Sequence, residues 1–212
     1  MNLKNSALLV IDMQYDFMEK GSLAVANANQ LIPIINYLLS LNWGLIVASQ
    51  DWHPSNHVSF ASNHKNKNSF EKIELKDGTM QVLWPDHCVQ NSYGAKIHDE
   101  ILISKIQNII KKGENPTVDS YSAFFDNNHQ IKTELDALLK KQRITALYIT
   151  GLAADYCVKF TAIDGVQLGY KTHIVLDATQ FIDNAIEPKY IAELEQQGIV
   201  FVNSQSLLQK RS

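Results

Sequence analysis

The chain has 212 residues, of which 45% are hydrophobic and 19% are charged, and its formal net charge at pH 7 is −3. This composition is typical of a globular protein with one substantial core, so we expect a single domain over residues 1–212. The 19 lysines and arginines are scattered along the chain, which argues against nucleic acid or a membrane as the partner. We expect a small-molecule substrate, and a homo-oligomer is compatible with this composition.

The start of the chain lacks the pattern of a secretory signal. Residues 1–5 lead directly into a strand-like run, without a basic segment followed by an apolar one. No apolar run approaches the length of a membrane span. We therefore expect a cytoplasmic protein, in which a reactive thiol is favoured over a disulfide between Cys88 and Cys157. Cys88 is expected to be a core residue.

The first predicted unit is a strand, a helix and a second strand. Ser6–Ile11 is a continuous apolar run, as expected of a strand buried on both faces, and Asp12 follows it. A helical pattern separates it from a second strand at residues 45–48. Asp51 and His53 come after that strand. Side chains able to do chemistry therefore follow both strands.

A long segment without periodicity comes next. Residues 54–96 lack a clear period and contain two prolines, two glycines and many asparagines and lysines, which predicts a long loop, and this loop carries His87. Loops of that length in a compact domain are usually functional. Beyond it we predict a helix at residues 97–104 and a strand at residues 106–110, and the strand ends near Lys112.

The second half of the chain alternates between helices and strands. It begins with a loop at residues 114–128 whose aromatic and hydroxyl side chains suit the wall of a pocket. The predicted elements that follow are a helix at 131–139, a strand at 146–150, a helix at 159–168, a strand at 172–176, a loop from 177, a helix at 187–197 and a strand at 199–202. This alternation predicts an α/β fold with three layers, α/β/α, around a mainly parallel central sheet.

Reactive side chains follow four of the predicted strands. In an open parallel sheet, ligands bind beyond the carboxyl ends of the strands. Those positions hold Asp12, Asp51 with His53, Lys112 and Cys157. Cys157 also lies where a strand becomes a helix, so that free amides and the helix dipole can stabilise a thiolate. Each residue alone has an ordinary structural explanation, and only their joint position at one edge favours a thiol, base and ammonium acting together.

The histidines indicate a metal site. Asp51 and His53 are two residues apart on an extended segment, so they point the same way and can reach one divalent ion. His87 is the predicted third ligand, with His57 and His64 as alternatives. The remaining histidines are predicted to be structural: His98, His129 and His173.

Five motifs occur in order along nearly the whole chain. They are D-M-Q-Y-D-F at 12–17, D-W-H-P with H-V-S-F between 51 and 60, W-P-D-H-C-V-Q at 84–90, K-G-E-N-P-T-V-D-S-Y-S-A-F-F-D at 112–126 and G-L-A-A-D-Y-C-V at 151–158. Together they resemble a nicotinamidase (pyrazinamidase) of the isochorismatase-like cysteine hydrolases. The first and last motifs mark the superfamily, whereas the metal motif and the Lys-Gly segment are specific to the nicotinamidase branch.

The resemblance implies roles for the residues at the strand ends. It implies a catalytic triad of Asp12, Lys112 and Cys157 on an isochorismatase-like hydrolase fold. It also implies an oxyanion hole made by the backbone amides of Ala153 and Cys157, with a cis peptide bond before Ala153. The usual motif has threonine where this chain has Ala154. That difference affects a local hydroxyl contact but neither the thiol nor the oxyanion amides.

The resemblance also implies a cofactor and a ring-binding pocket. One divalent metal ion would be held by Asp51, His53 and His87, with zinc favoured and iron or manganese also suited to these donors. His57 is the candidate for an additional residue around the ion. Three aromatic residues are predicted to contact the substrate ring: Phe17, Trp84 and Tyr121.

The implied activity is hydrolytic deamidation of nicotinamide to nicotinate and ammonia in NAD salvage. It would proceed through a cysteine acyl-enzyme, with pyrazinamide as an alternative substrate. A second interpretation is another amidase or isochorismatase-type hydrolase of the same fold, which leaves the metal motif unexplained. A third is a non-catalytic metal- or ligand-binding module, which leaves the thiol, acid and base unexplained.

Overall fold

The strands form one large sheet and a separate hairpin in the computed structural model, which describes residues 3–207. The strands are β1 (Ser6–Ile11), β2 (Leu45–Asp51), β3 (Lys72–Glu74), β4 (Met80–Val82), β5 (Asn108–Lys112), β6 (Ala146–Gly151), β7 (Lys171–Thr179) and β8 (Val200–Val202). The six-stranded sheet has the order β5-β2-β1-β6-β7-β8, and its neighbouring strands are parallel. The predicted parallel sheet is confirmed.

Helices cover both faces of this sheet. The α-helices of the described range are α1 (Leu31–Leu39), α2 (Leu135–Lys141), α3 (Lys159–Gln167) and α4 (Glu187–Gln196). Successive residues of a strand point to opposite faces. Leu8 and Val10 of β1 share one core with residues of α1, whereas Leu9 shares the other core with residues of α2, α3 and α4. The predicted three-layer arrangement is therefore confirmed.

The end of β6 lies directly against the end of β1. Ile11 pairs with Gly151, and Gly151 has a φ of 105°, a conformation that favours glycine. A Cβ at this position would overlap the backbone of Ile11. Glycine therefore lets the chain leave β6 this close to β1, which places the residues after β6 beside Asp12.

The prediction of a helix at residues 97–104 is wrong. The segment contains only the beginning of a short 3₁₀ turn, Ile103–Lys105. Ile97 and Ile101 are both buried, which accounts for their helix-like spacing. The backbone forms tertiary contacts instead, because Gln14 makes an isolated β-bridge with Ile97. These contacts satisfy the backbone groups that a helix would have used.

Two predicted strands differ from the observed ones at their ends. The strand predicted at residues 106–110 is β5, which begins and ends two residues later. It continues through Lys112 because carboxylates neutralise the buried ammonium. The strand predicted at residues 172–176 extends to Thr179, which pairs with Gly151, so the loop predicted from residue 177 is part of β7. The other predicted helices and strands are present and differ only at their ends.

The long loop predicted at residues 54–96 contains the antiparallel hairpin of β3 and β4. Its turn includes Asp77 and Gly78, a dipeptide common in hairpin turns, and Gly78 has a φ of 85°. Each strand has only three residues, and most of them are exposed or half-buried. Strands this short carry too few alternating residues to be detected by periodicity.

The predicted domain covers residues 1–212, of which 1–2 and 208–212 lie outside the described range. Between residues 3 and 207, no helix is long and apolar enough to cross a membrane. The longest α-helix there, α4, has ten residues, whereas a membrane span requires about 20.

Candidate active site

The four strands predicted to end in reactive groups are neighbours in the sheet, in the order β5-β2-β1-β6. Because they are parallel, their carboxyl ends meet at one edge. Asp51 pairs with Lys112 across β2 and β5. The oxygen and sulfur atoms of Asp12, Asp51 and Cys157 that could act as ligands lie within 4.8 Å of one another. The structure therefore brings the predicted acidic, basic and thiol side chains together.

Lys112 lies at the centre of this group. Its Nζ is 2.9 Å from Asp12 Oδ2 and 3.3 Å from Cys157 Sγ. The same nitrogen makes a short hydrogen bond to Asp51 Oδ1. Burial acts to lower the pKa of Lys112, but Asp12 and Asp51 outweigh it and raise the pKa well above its usual value. The lysine is therefore positively charged in contact with both carboxylates and the thiol.

Asp12 has the surroundings of a base. It is fully buried, and Ser49 Oγ donates a hydrogen bond of 2.6 Å to its Oδ1. Its Oδ2 faces Lys112 as an ion pair but accepts no hydrogen bond of good geometry from the described residues. Burial raises the pKa of Asp12 above its usual range, against the lowering effect of Lys112. A raised pKa makes this carboxylate a better proton acceptor near neutral pH.

Cys157 lies in a π-helical turn, Ala154–Val158, that leads from β6 into α3. Its side chain is buried, with 6% of the residue exposed. Burial raises the pKa of the Cys157 thiol well above its usual value, although Lys112 opposes this effect. The thiol is therefore protonated at neutral pH and needs a base before it can act as a nucleophile. Asp12 lies in position to be that base.

Asp51, His53 and His87 form a second group that shares Asp51 with the first. Asp51 Oδ2 is 3.5 Å from His53 Nε2 and 3.8 Å from His87 Nε2. The Nδ1 atoms of the two rings lie 3.0 Å from the Gly113 carbonyl oxygen and 2.8 Å from the Pro85 carbonyl oxygen. Because a carbonyl only accepts, each Nδ1 carries a proton, so Nε2 is the ring atom that faces Asp51 and that a metal ion would use. These residues fit a divalent metal ion.

His57 lies beside the metal-ligand group, with its ring centroid 4.3 Å from that of His53. Burial, followed by the effect of His53, lowers the pKa of His57 to about 4, and the pKa of His87 falls to about 4 for the same reasons. The other predicted alternative ligand, His64, bonds through Nε2 to a backbone carbonyl 2.7 Å away. The histidines predicted to be structural pack against aromatic rings: His98 is tilted against Tyr15, whereas His129 stacks on Phe125 and His173 on Tyr148.

The sequence matches known proteins over nearly its whole length. The isochorismatase domain model matches residues 6–206. The nicotinamidase of Escherichia coli K12 is 46% identical over 188 residues, which is 86% of this chain and 85% of the relative. The nicotinamidase of Acinetobacter baylyi is 42% identical over 205 residues, 96% of this chain and 95% of the relative. The chain belongs to the isochorismatase family and, within it, to the nicotinamidases.

Solved structures of the family have the same fold. The Acinetobacter baumanii nicotinamidase/pyrazinamidase has a TM-score of 0.93 and 44% identity, covering 98% of this chain and 100% of its own. PnC1 of L. infantum in complex with nicotinate has a TM-score of 0.86 and 34% identity, covering 97% and 96%. The pyrazinamidase of Pyrococcus horikoshii in complex with zinc has a TM-score of 0.74 and 32% identity, covering 94% and 99%. The predicted isochorismatase-like hydrolase fold is confirmed.

In this member of the family, a cavity leads to Cys157 and to the metal-ligand group. The three aromatic residues predicted to contact the substrate, Phe17, Trp84 and Tyr121, all line it. Trp84 Nε1 donates a hydrogen bond of 3.3 Å to the Tyr121 hydroxyl, which fixes the relative position of the two rings. Other residues complete the lining: Leu23, Asp119, Tyr156 and Ile182.

The segment before Cys157 has the features expected of an oxyanion-binding turn. The peptide bond between Leu152 and Ala153 is cis. Within residues 3–207, the Ala153 N–H donates no hydrogen bond, so it is available to a ligand. Ala154, at the position where threonine is usual, is fully buried, and its N–H donates to the Gln180 carbonyl at 2.8 Å. This backbone bond connects the turn to the segment that follows β7.

Several residues around the site were missed by sequence reasoning. They are Ser49, Asp119, Tyr156 and Ile182. Ser49 precedes Asp51 by two residues on β2, so the alternation that aligns Asp51 with His53 also predicts Ser49 on the same side. Asp119 lies on the loop between β5 and α2, where no strand alternation predicts the direction of its side chain. No sequence signal identifies Ile182, because its place depends on how the segment after β7 folds back.

Proposed function

We propose that the chain deamidates nicotinamide to nicotinate and ammonia through a cysteine acyl-enzyme, with pyrazinamide as an alternative substrate. The observation that carries this proposal is the position of Lys112, which contacts Asp12, Asp51 and Cys157 and so joins a nucleophile and base to a metal-ligand group. Relatives named nicotinamidase and a relative in complex with nicotinate support the substrate. The product would enter NAD salvage in the cytoplasm, where the Cys157 thiol stays reduced.

In the first half of the reaction, Asp12 takes the thiol proton while Cys157 Sγ forms a bond to the amide carbon. The electron pair of the carbonyl π bond moves to the amide oxygen. The N–H groups of Ala153 and Cys157 donate to this oxyanion. The Lys112 ammonium stabilises the negative charge that passes between Asp12 and sulfur.

In the second half, protonated Asp12 gives its proton to the amide nitrogen. The C–N bond breaks, ammonia leaves, and the carbonyl re-forms as a thioester of Cys157. Asp12 then removes a proton from water as the water oxygen attacks the thioester carbon. The carbonyl re-forms, the C–S bond breaks, and Asp12 returns the proton to the sulfur; the nicotinic acid then loses its own proton to solvent and leaves as nicotinate. One carboxylate therefore serves each step as base or acid in turn.

We assign a zinc ion to Asp51, His53 and His87. When bound, the ion supplies a Lewis acid for the lone pair of the pyridine nitrogen and so orients the ring. The zinc complex of the related pyrazinamidase supports this assignment, and the same oxygen and nitrogen donors also suit iron and manganese. Because Asp51 also contacts Lys112, the distance between the proposed metal ligands and the proposed catalytic residues is fixed.

We assign Phe17, Trp84 and Tyr121 to the walls of the ring pocket. All three side chains line the cavity beside Cys157. The Phe17 ring centroid lies 5.5 Å from that of His87, so this wall reaches the metal-ligand group. A flat aromatic substrate placed between these rings would keep its amide at the sulfur and its ring nitrogen at the metal ligands.

Ammonia release from nicotinamide and from benzamide tests the proposal. We expect nicotinamide to be hydrolysed and benzamide, which lacks the ring nitrogen, to be a poor substrate. His53→Ala and His87→Ala should each reduce kcat/KM for nicotinamide by more than the roughly 10- to 100-fold that loss of a partner hydrogen-bonded to a metal ligand costs. Iodoacetamide should still alkylate Cys157 in both variants, because the ring-binding residues do not activate the thiol. His64→Ala serves as the matched control, since His64 lies outside the metal-ligand group.

Two outcomes would contradict this assignment of the metal. One is hydrolysis of benzamide as fast as nicotinamide. The other is normal turnover of nicotinamide by protein from which the metal has been removed. Either result would favour a metal-independent amidase on the same fold.

A further inference from the structure

Gln14 is a buried polar side chain that the proposed mechanism does not use. It is fully buried and lies on the segment that follows β1, two residues after Asp12. Asp12 has a φ of 48°, in the left-handed region, so the chain turns out of the sheet there. The last pair of the ladder between β1 and β2 is Val10 with Ala48, three residues before Asp51. The end of β2 therefore extends beyond the point where β1 supplies a backbone partner.

The side chain of Gln14 replaces that backbone partner. Its Oε1 accepts a hydrogen bond of 2.8 Å from the Asp51 N–H, and its Nε2 donates one of 2.8 Å to the Asp51 carbonyl. A carboxamide carries both a donor and an acceptor, as a peptide group does, so it can pair with both backbone groups of one residue. Nε2 also donates to the Ala95 carbonyl at 2.8 Å. Because two carbonyls face Nε2, the orientation of the amide is determined.

This pairing determines where the Asp51 carboxylate lies. The carboxylate contacts two groups, because Oδ1 bonds Lys112 while Oδ2 lies 3.5 Å from His53 Nε2 and 3.8 Å from His87 Nε2. Asp51 pairs with Lys112 of β5 on one side of β2, and Gln14 supplies the pairing on the side of β1. An aspartate side chain is short, so a shift of the Asp51 backbone would displace the oxygen that faces the two histidines.

We propose that Gln14 is a positioning residue for the metal ligand Asp51 and that it compensates for the early end of β1. The turn at Asp12 takes the chain out of the sheet, and the amide two residues later restores the pairing that this turn removes. Gln14 does not line the cavity at Cys157, so it acts through Asp51. The inference rests on the metal site of the proposed function but does not depend on nicotinamide being the substrate.

Gln50 provides a matched control, because it is the same kind of side chain in nearly the same place. It adjoins Asp51 on β2, is 9% exposed, and donates from Nε2 to the same Ala95 carbonyl at 2.7 Å. Within residues 3–207, its side chain makes no hydrogen bond to Asp51. Gln14→Met and Gln50→Met each remove a buried amide and nearly preserve the length of the side chain.

Zinc binding to chelator-treated protein distinguishes the two positions without measuring activity. We expect competition with a chromophoric chelator to show a zinc affinity about 10- to 100-fold lower in Gln14→Met than in the unaltered chain. Gln50→Met should bind zinc as tightly as the unaltered chain. Both variants should have a lower melting temperature, because each leaves buried backbone groups without a partner. A loss of zinc affinity at one position alone therefore separates positioning of the metal ligand from a general loss of stability.

A second variant keeps the experiment decisive if Gln14→Met does not fold. Gln14→Asn retains an amide, but it is one methylene shorter and cannot reach Asp51 in the same pose, so its zinc affinity should also fall. If a folded Gln14 variant binds zinc as tightly as the unaltered chain, the metal site stands and this inference fails. Equal weakening in Gln50→Met would also overturn it. If the unaltered chain binds no zinc, the metal site of the proposed function fails, and with it the role of Gln14.

Discussion

At the scale of single residues, Cys157 and Cys88 are both buried free thiols but differ in their neighbours. Cys157 Sγ lies 3.3 Å from the Lys112 ammonium, which opposes the rise in its pKa that burial causes. The pKa of Cys88 is also raised well above its usual value by burial, and there Asp51 and Asp16 raise it further. We expect Cys157→Ala to reduce turnover of nicotinamide to below about one-hundredth of normal, because the nucleophile is lost. The folded protein should still bind zinc.

Cys88→Ala is the control for this substitution, since it removes a thiol of similar burial outside the catalytic group. It should retain activity close to normal. Turnover and zinc content are measured on both variants, to separate loss of the nucleophile from loss of the fold or the metal site. Substantial activity in folded Cys157→Ala would show that the reaction does not pass through a covalent bond to this sulfur.

Lys112 and Lys111 are adjacent in the sequence but have opposite surroundings. Lys112 is buried between two carboxylates, whereas Lys111 is exposed with its Nζ 3.8 Å from the centroid of the Trp52 ring. Lys112→Met leaves both carboxylates without their partner, so we expect loss of turnover and a fall in unfolding free energy of about 3–5 kcal/mol. Lys111→Met should lower that free energy by at most about 1 kcal/mol and leave turnover intact. Chemical denaturation and ammonia release measure both effects, and the opposite pattern would contradict the assigned roles.

At the scale of secondary-structure elements, Asp155 connects the turn before α3 to the segment after β7. Its carboxylate accepts hydrogen bonds from the Ile182 N–H at 3.0 Å and from the Asp183 N–H at 3.1 Å. Ile182 in turn lines the cavity beside Cys157. The position of this wall therefore depends on two backbone bonds to one carboxylate.

Asp155→Ala should allow the segment that carries Ile182 to move away from the cavity, because both backbone hydrogen bonds to the carboxylate are lost. We expect KM for nicotinamide to rise several-fold with a smaller change in kcat, because Ile182 contacts the ring pocket and not the reacting atoms. Asp155→Asn retains one acceptor oxygen and should recover part of the loss, although unsatisfied amides cost about 1–3 kcal/mol when an acceptor is removed. Steady-state kinetics on both variants provide the measurement. A fall in kcat at constant KM would show that Asp155 acts through the position of Cys157 instead.

Sequence periodicity identifies the long strands of the sheet but not the loops that shape the cavity. Long strands such as β1 could be predicted because they are apolar throughout, and the strand-end rule then indicated Asp12, Asp51 and Lys112. The apolar spacing of Ile97 and Ile101 predicted a helix that tertiary bonding replaces. The residues that shape the cavity, such as Asp119 and Ile182, lie on loops without periodicity, so their positions depend on contacts between distant segments. The catalytic, metal-binding and ring-contacting roles stay predictions.

At the scale of the whole molecule, the order of the strands determines which side chains meet. The chain adds β2 and β5 on one side of β1, and β6, β7 and β8 on the other. The direction of winding therefore reverses between β1 and β6, and the crevice at such a reversal is where open α/β sheets bind ligands. Asp12 follows β1 and Cys157 follows β6, so the proposed base and nucleophile lie on the two sides of that crevice. Local sequence patterns identify the strands but do not determine this order.

The strand that carries Lys112 lies at the margin of the sheet, since β5 is the first strand in the order and pairs with β2. Strands at a margin open more readily than interior ones, because fewer contacts are lost when they separate. Fraying of β5 would withdraw the ammonium from Asp12 and Cys157 while β1 and β6 stay paired. The chemistry would then stop before the core melts, so the temperature at which the protein loses its function would lie below the temperature at which it loses its fold.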